Sequence, residues 1–374
     1  MLNRRILRGK VMQQVFAYKT CVAANAELTN EKIIEYFTPD LNSLEPQDPK
    51  QLEGYAKLAM VHFDKFLKTG DAEISPELPE TVQKQIKEAL HFYKISNSND
   101  LLRISRKMVE DCERLYEDYL LTLLLFTEIA DKIAEVKKIN RLVASKIYTA
   151  IKNHELLNKE LSRRSISLAN DEDLVGELIM ALMESEEFKS YRSKPVSIEA
   201  DKEMAIFILR NIFFKSPKYH DYFENLNLNW QEDKVAIKDM VGDTIKSIQE
   251  GPDFVLAGIS KNWDDDKDFM KTLFSKTIEQ EQTIESYIVP KLKNWDISRL
   301  TATDGIILKL CLCEMINFYN IPVKVSLNEY IEVAKRYSTP KSKTLINGVL
   351  DNLAIELQQN GIIKKSGRGL MDNK

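Results

Sequence analysis

Leu7, Val11, Val15, Tyr18 and Val22 recur at spacings of three and four, a stripe that predicts a helix over 3–23. Two stretches then break the pattern, Asn42 to Pro49 with two prolines and Thr69 to Pro79 with Gly70, Pro76 and Pro79. Helical spacing returns between them, over Leu52 to Leu67, and again in a long block from about Leu101 to Leu161. A polar, Ser-rich stretch from Ser162 to Asn170 follows, then helices over about 171–190 and 201–250. No stretch alternates apolar and polar residues for long enough to predict a half-buried strand. The last third carries the sharpest signals. Ile297 to Phe318 is strongly apolar and helical, and Pro322 breaks it. Ser326-Leu-Asn-Glu329 has the spacing of a capping box, opening a helix with Leu327, Tyr330, Ile331, Ala334 and Tyr337 on one face. Thr339 and Pro340 suit the cap and first position of a final helix, which packs through Leu345, Ile346, Val349, Leu350, Leu353 and Leu357 and stops at Gly361. The remaining residues, 361–374, read as a basic, mobile tail.

Residues 201–245 and 266–310 align as a weak internal repeat at an offset of 65 positions. Tyr222 pairs with Tyr287, Asn229-Trp230 with Asn294-Trp295, Asp239 with Asp304, Ile208 with Leu273 and Ile245 with Leu310. Such a duplication would stack one helical unit on its copy to extend a core.

Composition narrows the function classes. The 374 residues include only 12 Gly and 11 Pro, which favours long helices. Lys and Arg number 53 against 57 Asp and Glu, a net charge of −4, so any nucleic-acid contact must come from a local patch. The four cysteines, Cys21, Cys112, Cys311 and Cys313, are scattered and read as reduced thiols. Cys311 and Cys313 are two apart on a helix, so their side chains diverge and do not share a metal easily. Met1-Leu2-Asn3-Arg4-Arg5 has no apolar run behind it, and the most apolar stretch, Tyr119 to Ala130, is short of a span; a cytoplasmic protein without membrane contact is expected. His62, His91, His154 and His220 are isolated, and neither a phosphate loop nor a dinucleotide fingerprint is present. The run Asp264-Asp265-Asp266 suits a solvated helix start. No cofactor, metal or enzymatic activity is expected.

The segment Ile321-Pro-Val-Lys-Val-Ser-Leu-Asn-Glu-Tyr-Ile-Glu-Val-Ala-Lys-Arg-Tyr-Ser338 resembles the signature of the NusB antitermination family, as does Ile346-Asn-Gly-Val-Leu-Asp351. Upstream, Trp295, Arg299, Asp304, Leu308 and Glu314 fall at family positions, and Arg4 to Phe16 resembles the Arg-rich first helix. The motif residues are thus Trp295, Arg299, Asp304, Glu314, Pro322, Asn328, Glu329, Lys335, Asn347 and Gly348. The resemblance covers about 3–20 and 266–357. It implies an all-α fold of NusB-like helical bundles with a large helical insertion holding the repeat. The expected divisions are 1–20 for the first core helix, 21–261 for the insertion, 262–360 for the rest of the core and 361–374 for the tail.

The resemblance also implies a function: binding boxA-type single-stranded RNA of nascent rRNA transcripts together with ribosomal protein Nus factor E, in an RNA polymerase antitermination complex. The expected RNA-binding residues are Arg4, Arg5, Arg8, Lys10 and Phe16. Arg4 and Arg8 are one turn apart with Arg5 beside them, a spacing that suits successive phosphates. Arg5, Gly9, Met12 and Phe16 form a strip on which a base can stack, with Gly9 admitting a close backbone, although Phe16 also suits a core position. Asn328 and Asn347 suit backbone-holding positions at helix starts as well as RNA contact. One departure stands out: Lys341 and Lys343 occupy a stretch where the family often has an acid. Two other readings compete. An rRNA cytosine methyltransferase would place this domain before a cofactor-binding α/β domain, whose Gly-rich motif is missing here. A helical interaction scaffold without RNA binding is the main alternative.

Overall fold

The computed structural model describes residues 2–40, 42, 46–168, 171–249, 254–292 and 301–373, with the side chains of 372 and 373 not described. In chain order the helices are α1 (Arg4–Tyr36), α2 (Pro49–Thr69), α3 (Glu80–Lys137), α4 (Lys146–Lys152), α5 (Glu155–Arg163), α6 (Glu172–Glu184), α7 (Glu186–Ser193) and α8 (Ile198–Phe207). They continue with α9 (Pro217–Leu226), α10 (Trp230–Ser247), α11 (Trp263–Glu279), α12 (Glu281–Leu292), α13 (Ala302–Asn317), α14 (Val323–Tyr337) and α15 (Ser342–Gln359). No strand occurs among the described residues, so the chain is all-α as expected. No helix is long and apolar enough to cross a membrane among those residues.

Two compact units emerge. One comprises Met1–Leu7 and Val109–Asp268, the other Arg8–Met108 and Phe269–Lys374. The insertion expected as one block over 21–261 is therefore shared between them, and α1, α3 and α11 each contribute to both.

In the first unit, short helices are started by local caps: the hydroxyls of Ser145, Ser185, Ser197 and Ser216 accept from the third residue onward, and His154 Nδ1 does so from Leu157 N–H at 3.2 Å. Its core stacks Phe223 on Trp230 with centroids 4.5 Å apart, and Trp230 Nε1–H donates to His220 Nδ1 at 3.0 Å. Asp118 is buried beneath this cluster and accepts from Asn227 Nδ2 at 2.7 Å.

The second unit holds α2, α12 to α15 and parts of α1, α3 and α11. The later part of α1, α2 and the start of α3 enclose Ile33, Phe37, Ala59, Phe63, Val82 and Ile86. Elsewhere α13 is apolar all round, burying Ile306, Ile307, Leu308, Leu310 and Leu312 against its neighbours, as a central helix does.

Several expectations need correction. Helix α1 continues well beyond residue 23, because its inward positions turn polar without leaving the core. Asn25 Nδ2 donates to Asn97 and Asp100 at 2.9 Å each, and Thr29 Oγ1 donates to Asn25 O at 2.6 Å. Helix α3 begins at Glu80 rather than 101, again through a polar stretch. The expected capping box at Ser326 and Glu329 is overturned: α14 starts at Val323 with Pro322 as its cap, which puts Ser326 inside the helix. A capping box does exist, but at Thr301 and Asp304 of α13. The cap of α15 is displaced two residues from Thr339, whose Oγ1 nonetheless accepts from Ser342 N–H at 3.3 Å. Gly361 ends α15 as expected, at φ 68°, with Ile362 N–H donating to Leu357 O at 2.9 Å and Gly361 N–H to Gln358 O at 3.1 Å. The expected mobile tail is instead docked: Ser366 N–H donates to Tyr319 O at 3.1 Å, and a Cβ on Gly369 would lie 2.0 Å from that same oxygen. The repeat is not confirmed. Both segments bury equivalent apolar residues, yet Asp239 is exposed where Asp304 is buried, and Trp295 lies outside the described residues.

Asp118 generates a pH prediction. Burial pushes its carboxyl up to about 7, against the pull of Asn227 and Arg114. An unfolded Asp titrates near ~3.9. Between those values the folded chain holds a proton that the unfolded chain has released, so this group's contribution to stability is full below about pH 4 and declines to nothing through pH 7. Asp118→Asn should remove that slope, gaining on the parent by on the order of 3 kcal/mol between pH 4 and 8 in denaturant titrations. Parallel parent and variant profiles would refute it.

Candidate nucleic-acid interface

Asn3 opens α1: its Oδ1 accepts from Arg5 N–H and Ile6 N–H at 3.1 Å each. The cations that follow divide sharply. Arg4 is half-buried and ion-paired, with Nη2 at 2.6 Å from Asp265 and Nε at 3.0 Å from Asp266. Arg5 is exposed. Arg8 and Lys10 are both 2% exposed. The expected row of phosphate-binding cations Arg4, Arg5, Arg8 and Lys10 is thus corrected: Arg8 and Lys10 belong to the interior, and Arg4 already has carboxylate partners. Phe16 is 46% exposed.

Arg8 explains why so many signature residues recur together. Its Nε and Nη2 meet Glu314 Oε2 and Oε1 at 2.8 and 2.7 Å, a bidentate pair inside the unit. Ser326 Oγ donates to Glu314 Oε1 at 2.7 Å and Tyr330 OH donates to Oε2 at 3.3 Å. Glu329 lies 3.7 Å from Arg8, and the guanidinium sits over the Phe269 and Tyr330 rings at 5.4 and 5.8 Å. Burial works against the charge on Arg8, but the hydrogen bonds and charge of Glu314 outweigh it and raise the pKa above the ordinary value. The ring of Tyr330, by contrast, is kept protonated by burial. Gly9, next along α1, faces Tyr337: a Cβ there would lie 3.1 Å from the Tyr337 hydroxyl. Its missing side chain makes room for that ring and not for a nucleic-acid backbone, and Met12 is buried as well.

Asp304 is a second node. Its Oδ2 accepts from Thr301 N–H at 3.1 Å and from Ser342 Oγ at 2.9 Å, and its Oδ1 accepts from Ser338 Oγ. One carboxylate therefore ties the start of α13 to the turn between α14 and α15. Of the other motif residues, Pro322 caps α14 and Asn328 is exposed. Lys335 pairs with Glu332, Asn347 donates to Asp351 at 2.7 Å, and the Gly348 carbonyl accepts from Asn352 at 2.8 Å. Trp295 and Arg299 lie outside the described residues. Sequence reasoning missed Ser326 and Tyr330 as partners of Glu314, and missed the network joining Lys19, Glu281, Glu285 and Lys309. The available signal was a lone Glu314 and a lone Lys309 in an otherwise apolar helix, each of which needs an opposite charge.

These residues define an all-α bundle organised around one buried Arg–Glu pair. Residues 257–354 match the model of the NusB family. Among similar proteins, the transcription antitermination protein NusB of Chloroherpeton thalassium is 41% identical over 95 residues, 25% of this chain and 45% of the relative. That of Salinibacter ruber is 42% identical over 93 residues, 25% of this chain and 56% of the relative. That of Natranaerobius thermophilus is 44% identical over 78 residues, 21% and 56%. The chain spans about half the length of the curated relatives it matches. No solved structure matches. The similarity to the NusB family is carried by residues 257–354.

Removing one member of a buried ion pair leaves the other charge uncompensated, at about 3–5 kcal/mol. Arg8→Ala should therefore lower unfolding free energy by about that much, read from urea denaturation. Combining it with Glu314→Gln should cost less than the sum of the single changes, because the stranded charge is gone. Strict additivity would show that the pair does not act as a unit.

Proposed function

We propose that this protein is a transcription antitermination factor that binds boxA-type single-stranded RNA of nascent rRNA transcripts together with ribosomal protein Nus factor E, within an RNA polymerase antitermination complex. The observation that carries the reading is the similarity to the NusB family at 257–354, whose relatives are named transcription antitermination proteins. The exposure of Arg5 and Phe16 on α1 supports it further: one offers a cation to phosphate and the other an aromatic face to a base. A second reading, a helical interaction scaffold without RNA binding, draws on the burial of Arg8 and Lys10 and the pairing of Arg4.

RNA titration separates the two. Phe16→Ala should weaken boxA RNA binding by about 1–3 kcal/mol, and Arg5→Ala should shallow the slope of log affinity against log salt by about 0.7. Both side chains are exposed, so the melting temperature should hardly move. RNA binding unaltered in both variants would discard α1 as the contact, and no binding by the parent would favour the scaffold.

The partner has its own test. Few available cations on an acidic chain give weak attraction, of the order of 10⁻⁴–10⁻⁶ M. A basic protein docked beside the RNA should raise the joint affinity by a factor of about 10² or more. By reciprocity, RNA should tighten the protein–protein contact by the same factor. Calorimetry with the ribosomal protein of the same organism should show both effects; absence of binding together with unchanged RNA affinity would exclude the heterodimer.

A further inference from the structure

The cations of α1 are largely neutralised, so a polyanion must find others. Helix α3 supplies them before residue 100. Lys84, Lys87, His91, Lys94 and Ser98 recur at spacings of three and four and are all exposed, forming one stripe that spans about 21 Å at ~1.5 Å per residue. The opposite face of the same turns, with Val82, Ile86 and Ala89, is locked into the three-helix core, so the stripe is rigidly mounted. Beside it, the segment after Gly70 leaves a hollow of about 480 Å³ lined by Ala72, Ile74, Lys87, Leu90, His91 and Lys94. Every polar side chain in that lining is a base and none is a carboxylate. Lys94 Nζ lies 5.2 Å from the Phe66 ring centroid, which steers the ammonium without cancelling its charge. Within the stripe and among the described residues, Lys84 alone forms an ion pair, with Glu88 at 4.0 Å.

We propose that the hollow lined by Lys87, His91 and Lys94 binds phosphates of single-stranded RNA, giving this chain an RNA contact on helices outside the residues similar to the NusB family. Lys87 and Lys94, two helical turns apart, suit phosphates along one strand, His91 between them offers a ring N–H donor, and the apolar side chains of Ala72, Ile74 and Leu90 accept the sugar between them. The proposal rests on the RNA-binding reading above and extends the path of the RNA beyond α1.

The test uses the full chain and a single-stranded RNA of about thirty nucleotides carrying boxA, titrated from low to physiological salt. The variant Lys87→Gln/Lys94→Gln should melt like the parent, since both side chains are exposed. Its slope of log affinity against log salt should be shallower by about 1.4, at ~0.7 per lost phosphate contact. A control, Lys159→Gln/Lys215→Gln, removes as much positive charge from other exposed positions and should keep the parent slope. A parent slope in the α3 variant, with parent binding intact, overturns the hollow and leaves the α1 reading standing. Equal losses in variant and control overturn a local site. No RNA binding by the parent removes both readings. Inorganic tripolyphosphate distinguishes the source of phosphate: if the variant loses tripolyphosphate binding but keeps parent RNA binding, the hollow holds a small anion and the RNA assignment falls.

Discussion

A guanidinium taken out of water must recover its hydration from the protein, and the placement of Arg8 follows from that demand. Glu314 meets it with both carboxylate oxygens, and the same oxygens accept from Ser326 and Tyr330, so α1, α13 and α14 are joined at one point. Substituting apolar residues of similar volume often stabilises such a site, so a buried ion pair is better understood as a device for register than as a source of stability. Here the register has visible consequences. With Arg8 anchored, Gly9 meets the Tyr337 ring and Lys10 turns inward, which leaves α1 with far less free positive charge than its sequence displays.

That outcome shows what the sequence could and could not convey. Periodicity correctly made α1 amphipathic, and Leu7, Val11 and Val15 are fully buried. It did not say that the flanking strip of Gly9 and Met12 would be buried as well, because spacing reports which residues share a face and not what covers it. The all-α class, the helices of the last third and the stop at Gly361 were legible, since each rests on local chemistry. Helix lengths were not: Asn25 on α1, and Asn97 and Asp100 on α3, look like loop residues until they are seen bonding to one another across the bundle, with Thr29 bonding back to the Asn25 carbonyl within α1. Ser326 was misread for a related reason. A Ser three residues before a Glu is the spacing of a cap, yet its hydroxyl serves Glu314, a partner twelve residues upstream that local spacing does not reveal.

The candidate interface divides the same way. The motif residues of the C-terminal third were found in the sequence because the family resemblance marked them, but their physical work is mostly internal. Asp304 gathers two serines and a helix start, and Glu314 gathers four donors. A residue that a family motif marks is therefore as apt to hold the bundle together as to touch a ligand. Arg5 and Phe16, named by the same resemblance, are the expected contacts that stay exposed, whereas the bases of α3 carry no such mark and became visible only once burial was known.

The Arg8–Glu314 pair also sets a timetable for synthesis. Its partners are 306 residues apart in the chain. At ribosomal speeds of about 5–20 residues per second, Arg8 leaves the ribosome roughly 15–60 s before Glu314 does. Throughout that interval the apolar stripe of α1 has been made but its far partner has not. The core that α1 shares with α2 and the start of α3 needs no such wait, so the two ends of α1 meet their partners at different times. Arg8 thus reaches its buried partner only after the 306 residues that separate them have been made.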